Sequence, residues 1–152
     1  MGTVTAIGSF LDGLRTALDA RPGLAGVAIF TAPVSHLDIG DEAIVFAVEP
    51  VKGEYAYRIG APHVIVSEQF SVDGRVWIVK GGSGEETIKE ARDRALEILE
   101  EVHDELATND TVSGIVRDAR VVSVTLDQYV IDGGRDCRLA FDIRVESEFT
   151  PA

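Results

Sequence analysis

Chemistry in this chain would have to come from few residues. The histidines are His36, His63 and His103, and the lone thiol is Cys137. No pair of histidines has the HExxH spacing or another zinc spacing, which would set two ligands on one face of a helix or turn. His36, Asp38, Asp41 and Glu42 form a local set of nitrogen and oxygen donors. A hard cation such as magnesium needs only one or two carboxylates plus water, but a solvated polar loop has the same composition and is the simpler reading. Cys137 has no histidine near it in sequence and reads as a buried, inert thiol at a strand start. Ser35-His36 and Ser67-Glu68 lack the glycine-flanked turn that exposes a serine nucleophile. Gly81-Gly82-Ser83-Gly84 precedes a helix, where free N–H groups attract anions. It lacks the Walker lysine, and Glu85 and Glu86 already occupy the positive helix end. These residues point to no catalytic, metal or cofactor site; the expectation is a protein that is not an enzyme and uses no cofactor.

Other side chains fit contacts better than chemistry. Tyr55, Tyr57 and Arg58 make an aromatic and basic patch, and Tyr and Arg are enriched at interface centres. A plain edge strand explains them equally well. Trp77 reads as core or interface. Glu97, Glu100, Glu101, Asp104 and Glu105 crowd the C-terminal half of a helix, where the macrodipole disfavours anions. A tolerated solvated face accounts for them; so would basic groups of a neighbouring subunit, such as Arg117 or Arg120, lying against Glu100, Glu101 and Glu105.

The elements that position these residues follow from periodicity. Ile7, Phe10, Leu11, Leu14 and Leu18 recur at helical spacing and predict a helix over Thr5 to Ala20, ended by Arg21-Pro22-Gly23. Val27 to Thr31 and Ala43 to Val48 read as strands, and Glu54 to Pro62 is ambiguous. Asp73-Gly74 between Val64–Val72 and Arg75–Lys80 has the form of a hairpin turn. Ser83 and Glu86 have capping-box spacing at the head of a helix running to about Ala107. Its apolar stripe is Ile88, Ala91, Ala95, Leu99, Val102 and Leu106. Val121 to Ile131, the turn Asp132-Gly133-Gly134, and Leu139, Phe141, Ile143 and Val145 alternating with polar residues predict a closing hairpin. Helix, several strands, helix and two strands give an α+β fold, with a mainly antiparallel sheet and two helices packed on it.

A chain of 152 residues is one domain's worth, and no internal repeat or linker divides it. The 26 acids outnumber 14 Lys and Arg, for a formal net charge of -12. That surface repels phosphates and anionic lipid; it suits solubility, a basic partner, or a passage along which DNA slides without sticking. One cysteine excludes an intrachain disulfide. Met1 to Phe10 has neither the basic region nor the apolar run of a signal peptide, so none is expected. No apolar run approaches the roughly 18 residues that span a bilayer.

Taken together, the chain resembles the siphophage tail terminator proteins, also called tail completion or minor tail proteins. The resemblance rests on "LDARPGLAGVAIF", on "EETIKEARDRALEILEEV" after a β-hairpin, and on the finish "VSGIVRDARVVSVTLDQYVIDGGRDCRLAFDIRVESEF". It spans nearly the whole chain but is one of pattern, so no functional position carries over individually. The acidic C-terminal half of the second helix has no counterpart in it. The resemblance implies a six-membered ring at the head-proximal end of the tail tube, assembled in the host cytoplasm and carried in the virion. Its partners would be further copies of itself, the tail tube protein and the head-tail connector protein, with DNA passing through the lumen unbound. Another neck or head-completion protein, an acidic DNA mimic, and a small-molecule enzyme or binding module with a sheet-cradled helix remain as rivals.

Overall fold

Alternating burial along two long strands sets the architecture. In the computed structural model, which describes residues 4–35, 40–60 and 63–149, Val64–Gly81 and Gly134–Phe149 run antiparallel from Val66 opposite Phe149 to Gly81 opposite Gly134. On one face Val66, Phe70, Val72, Val76 and Ile78 meet Leu139, Phe141, Ile143 and Val145, all buried. In chain order the strands are β1 Ala28–Phe30, β2 Glu42–Phe46, β3 Glu54–Ile59, β4 Val64–Gly81, β5 Asp118–Ile131 and β6 Gly134–Phe149. The sheet runs β1-β2-β4-β6-β5 and is antiparallel except for the β1–β2 pair. β3 pairs with the N-terminal third of β4, on the same side as β2. The expected α+β class, with a mainly antiparallel sheet and two helices on it, is the observed one.

Two helices cover one face. α1 (Ile7–Asp19) buries Phe10, Leu14 and Leu18, with Phe10 edge-on to Phe70 at 5.8 Å. A single 3-10 turn, Pro22–Leu24, leads away from it. α2 (Glu85–Thr108) buries Ala91, Ala95, Ile98, Val102 and Leu106. Leu99, expected in that stripe, is only partly buried, and Ile98 takes its place. Residues 91, 95, 98, 102 and 106 step by four and three along one line of the helix surface, and Leu99 lies about 100° round from Ile98. No helix among the described residues is long and apolar enough to cross a membrane.

Two local expectations fail for identifiable reasons. Asp73-Gly74 is not a turn: β4 continues through it, with Asp73 opposite Asp142 and Gly74 opposite Phe141. A Cβ at Gly74 would collide with the Phe141 ring, which lies over the glycine and meets Phe46 edge-on at 5.9 Å. Asp73 receives the chain leaving β2, accepting from Ala47 N–H at 2.9 Å on its carbonyl and from Glu49 N–H at 3.1 Å on its carboxylate. The Asp-Gly pair therefore marks where β4, having paired with β3, begins its pairing with β2. The Ser83–Glu86 capping box is also absent. Gly82 and Gly84 both adopt positive φ, so the chain enters the helix one residue late, with Gly84 at the cap and no side-chain cap bond. The Ser83 carbonyl instead accepts from the Thr87 hydroxyl at 3.0 Å. The ambiguous segment 54–62 contains β3; Ala61 and Pro62 lie outside the described residues.

Candidate assembly surface

Among the described residues the sheet has three open edges, at β1, β3 and β5, of which β3 and β5 expose large apolar side chains. Among the described residues, no strand pairs with the far side of β3 or of β5. Residues directly opposite in an antiparallel pair share a face, which places the side chains of both edges. Val124 opposes Phe141 and Leu126 opposes Leu139, so these β5 residues point to the helix side. α2 reaches β5 only at its start, where Ala119 is buried and Val121 packs on the core. Beyond that point the helix side of β5 is uncovered: Val124, Leu126 and Val130 are exposed, Val130 to 75%. On β3, Tyr57 opposes Val66 and Ile59 opposes Val64, again on the helix side. Tyr57 is 69% exposed and Ile59 93%. Each edge thus exposes apolar side chains on the helix side, Val124, Leu126 and Val130 on β5, with Gln128 between the last two, and Tyr57 and Ile59 on β3.

A long, apolar, unpaired edge is a hazard that soluble proteins cover, charge or break with proline. From Val121 to Ile131, β5 carries one charge, Asp127, and no proline. The bulge between Val121 and Ser123 twists its start but leaves the rest pairing regularly with β6.

The expected interface residues fall into separate groups. Tyr55 is anchored, its hydroxyl donating to the Val4 carbonyl at 2.8 Å and its ring edge-on to Phe149. Partial desolvation and the charge of nearby Glu68 hold its phenol pKa above the usual value. Arg58 and Arg117 converge on one carboxylate, Glu148, each at 3.1 Å. Arg120 pairs with Asp118 at 2.7 Å on its own strand. Glu101 and Glu105 meet Arg21 of the same chain at 2.6 and 3.3 Å. The hydrogen bond that Arg21 donates to Glu101 is the main cause of the raised Arg21 pKa. Arg21 therefore offsets part of the unfavourable charge at the C-terminus of α2 within the chain. Glu100 stays exposed.

The residues considered for chemistry disperse. Among the described residues no group of His, Cys, Asp and Glu is placed to hold a metal. His36 and Asp38 lie outside the described residues, and Glu42 is held by Arg94 at 2.9 and 3.2 Å. Cys137 is buried inside β6, and burial raises its thiol pKa. Trp77 lies on the sheet face away from the helices, with the Arg138 guanidinium 4.0 Å above its ring.

One buried group went unrecognised in the sequence. Glu68 is fully buried in β4 on the helix side. It accepts from the Thr5 hydroxyl at 2.6 Å, the Ala6 N–H at 2.8 Å and the Ser147 hydroxyl at 3.5 Å. α1 has no side-chain cap of its own and no acid in its first turn, so Glu68 supplies both from the sheet. Gly53 leaves room for it, since a Cβ there would stand 2.7 Å from its Oε2.

No protein-family model matches the chain, and no curated protein matches it. Among solved structures, a chain described as part of the virion of a native gene transfer agent particle aligns with 95% of this chain and 100% of its own length. The identity is 14% and the TM-score 0.39, a likeness too slight to build on.

Proposed function

We propose that this chain is a structural subunit of a phage tail that closes into a ring, most simply of six copies, and acts without catalytic turnover. The ring ends tail-tube polymerisation and offers its other face to the head connector. The observation that carries this reading is the pair of open sheet edges, β3 and β5, that expose apolar residues on the same face. A single copy leaves both uncovered. The chain-wide resemblance of its sequence pattern to tail terminators supplies the place in the particle. The mechanism is geometric: a contact between two different patches closes a ring when its rotation divides the circle evenly. One ring face then matches the last tube ring, while the other does not copy it and growth stops.

Disrupting the gene in the tailed particle that encodes it should give tails of irregular, excessive length that fail to join heads, and adding purified protein should restore joining. Tails of normal length on filled heads would overturn the terminator role.

A further inference from the structure

We propose that copies of this chain join by strand addition, β5 of one copy pairing antiparallel with β3 of the next, so that the sheet runs continuously from subunit to subunit. This inference rests on the ring reading for its biological setting but on the two edges alone for its geometry.

Strand directions permit it. β5 runs parallel to β4, since each is antiparallel to β6, whereas β3 runs antiparallel to β4. If a second copy continues the sheet with its helices on the same side, β5 meets β3 in antiparallel orientation. The exposed apolar side chains of both edges then fall on one continuous face.

Side chains select a register. Arg58 points to the face opposite the helices, as its neighbours Tyr57 and Ile59 point to the helix side; Asp127, between Leu126 and Gln128, points the same way as Arg58. Setting Arg58 opposite Asp127 sets Ile59 opposite Leu126 and Tyr55 opposite Val130. This register joins Ile59 to Leu126, Tyr55 to Val130 and cation to anion, with Tyr57 facing Gln128, and gives partners to the N–H and C=O groups that residues 54–59 and 126–131 turn toward each other. Pairing β5 with a second β5 across a two-fold would also be antiparallel. It would leave Tyr57 and Ile59 uncovered.

The contact also has a built-in stagger. Arg58 lies beside Ile65, while Asp127 is level, through Arg138, with Trp77, twelve residues further along β4. Joining Arg58 to Asp127 displaces successive copies along the strand direction by roughly 40 Å, at about 3.3 Å per residue. Such a shift is what inclines strands to the axis of a closed barrel.

Two edge-blocked proteins test this. The β5-blocked protein carries Val124→Lys and Leu126→Lys; the β3-blocked protein carries Tyr57→Lys and Ile59→Lys. All four positions are exposed, and thermal melts near that of the unmodified chain verify folding. In sedimentation velocity the unmodified chain should form a closed oligomer, and each blocked protein alone should be a monomer. Their mixture should form a one-to-one dimer and nothing larger, because only one intact β5 and one intact β3 remain. A mixture of Ile59→Cys and Leu126→Cys proteins should form, on oxidation, a disulfide-linked heterodimer in preference to either homodimer. A dimer from the β3-blocked protein alone would overturn β5–β3 pairing in favour of β5–β5. A full-size oligomer from both blocked proteins would overturn the edge contact while leaving the ring intact. A monomeric unmodified chain at all concentrations would overturn both.

Discussion

Glu68 is a carboxylate held away from water, and its role is set by what surrounds it. Three donors from two other segments converge on it, and together they fix the start of α1 against the sheet. Removing one partner of a buried hydrogen bond leaves the others desolvated and unsatisfied, at about 1–3 kcal/mol for each such group. Glu68→Ala should therefore lower the denaturation midpoint by far more than an exposed control such as Glu100→Ala, and Glu68→Gln, which keeps one acceptor, should fall between them. Equal midpoints for Glu68→Ala and Glu100→Ala in urea titrations would mean that the carboxylate is not buried. The sequence held the signal for this residue. Val64, Val66, Phe70 and Val72 share its parity, so a period-two reading places Glu68 on the inward face. It went unnoticed because its partners, Thr5 and Ser147, lie 63 and 79 residues away.

At the scale of elements, α2 separates what periodicity can settle from what it cannot. Its existence, length and buried face were legible because a 3.6-residue pattern repeats over 24 residues. The choice between Ile98 and Leu99 was not, since adjacent apolar residues both lie near the stripe and the crossing of the helix over β4 and β6 decides which is inside. Ile98→Ala should cost about 2–5 kcal/mol, as for other fully buried large-to-small changes, and Leu99→Ala clearly less. Urea midpoints of the two variants measure the difference, and a reversed order would place the helix wrongly on the sheet. β4 shows the complementary case. Asp-Gly is a strong local turn signal, but Gly74 is needed for a non-local reason, the close approach of Phe141. The open edges were half legible: the alternation of Tyr55, Tyr57 and Ile59 offered an edge strand as one of two readings, and β3 is that strand. The uncovered face of β5 depended on how far α2 extends sideways, which no local pattern reports.

For the whole molecule, a formal charge of -12 makes each copy repel the next. The proposed contact does little to counter this electrostatically. Its one pair of opposite charges is Arg58 with Asp127, and an exposed ion pair contributes only about 0–1 kcal/mol. Association should then be opposed by the long-range field and driven by apolar burial and backbone pairing. Salt acts on the first far more than on the second. Raising the ionic strength from about 0.01 M to about 0.15 M shortens the Debye length from roughly 30 Å to 8 Å, screening most of the repulsion between subunits while leaving contacts within van der Waals distance. The oligomer should therefore tighten as salt rises over this range, seen as a lower midpoint concentration for assembly in sedimentation velocity. An interface built on acidic α2 residues facing a neighbour's arginines has the opposite sign, because screening weakens attraction between unlike charges. Assembly that loosens with added salt would thus count against the β5–β3 contact and restore the charged helix face as the joining surface.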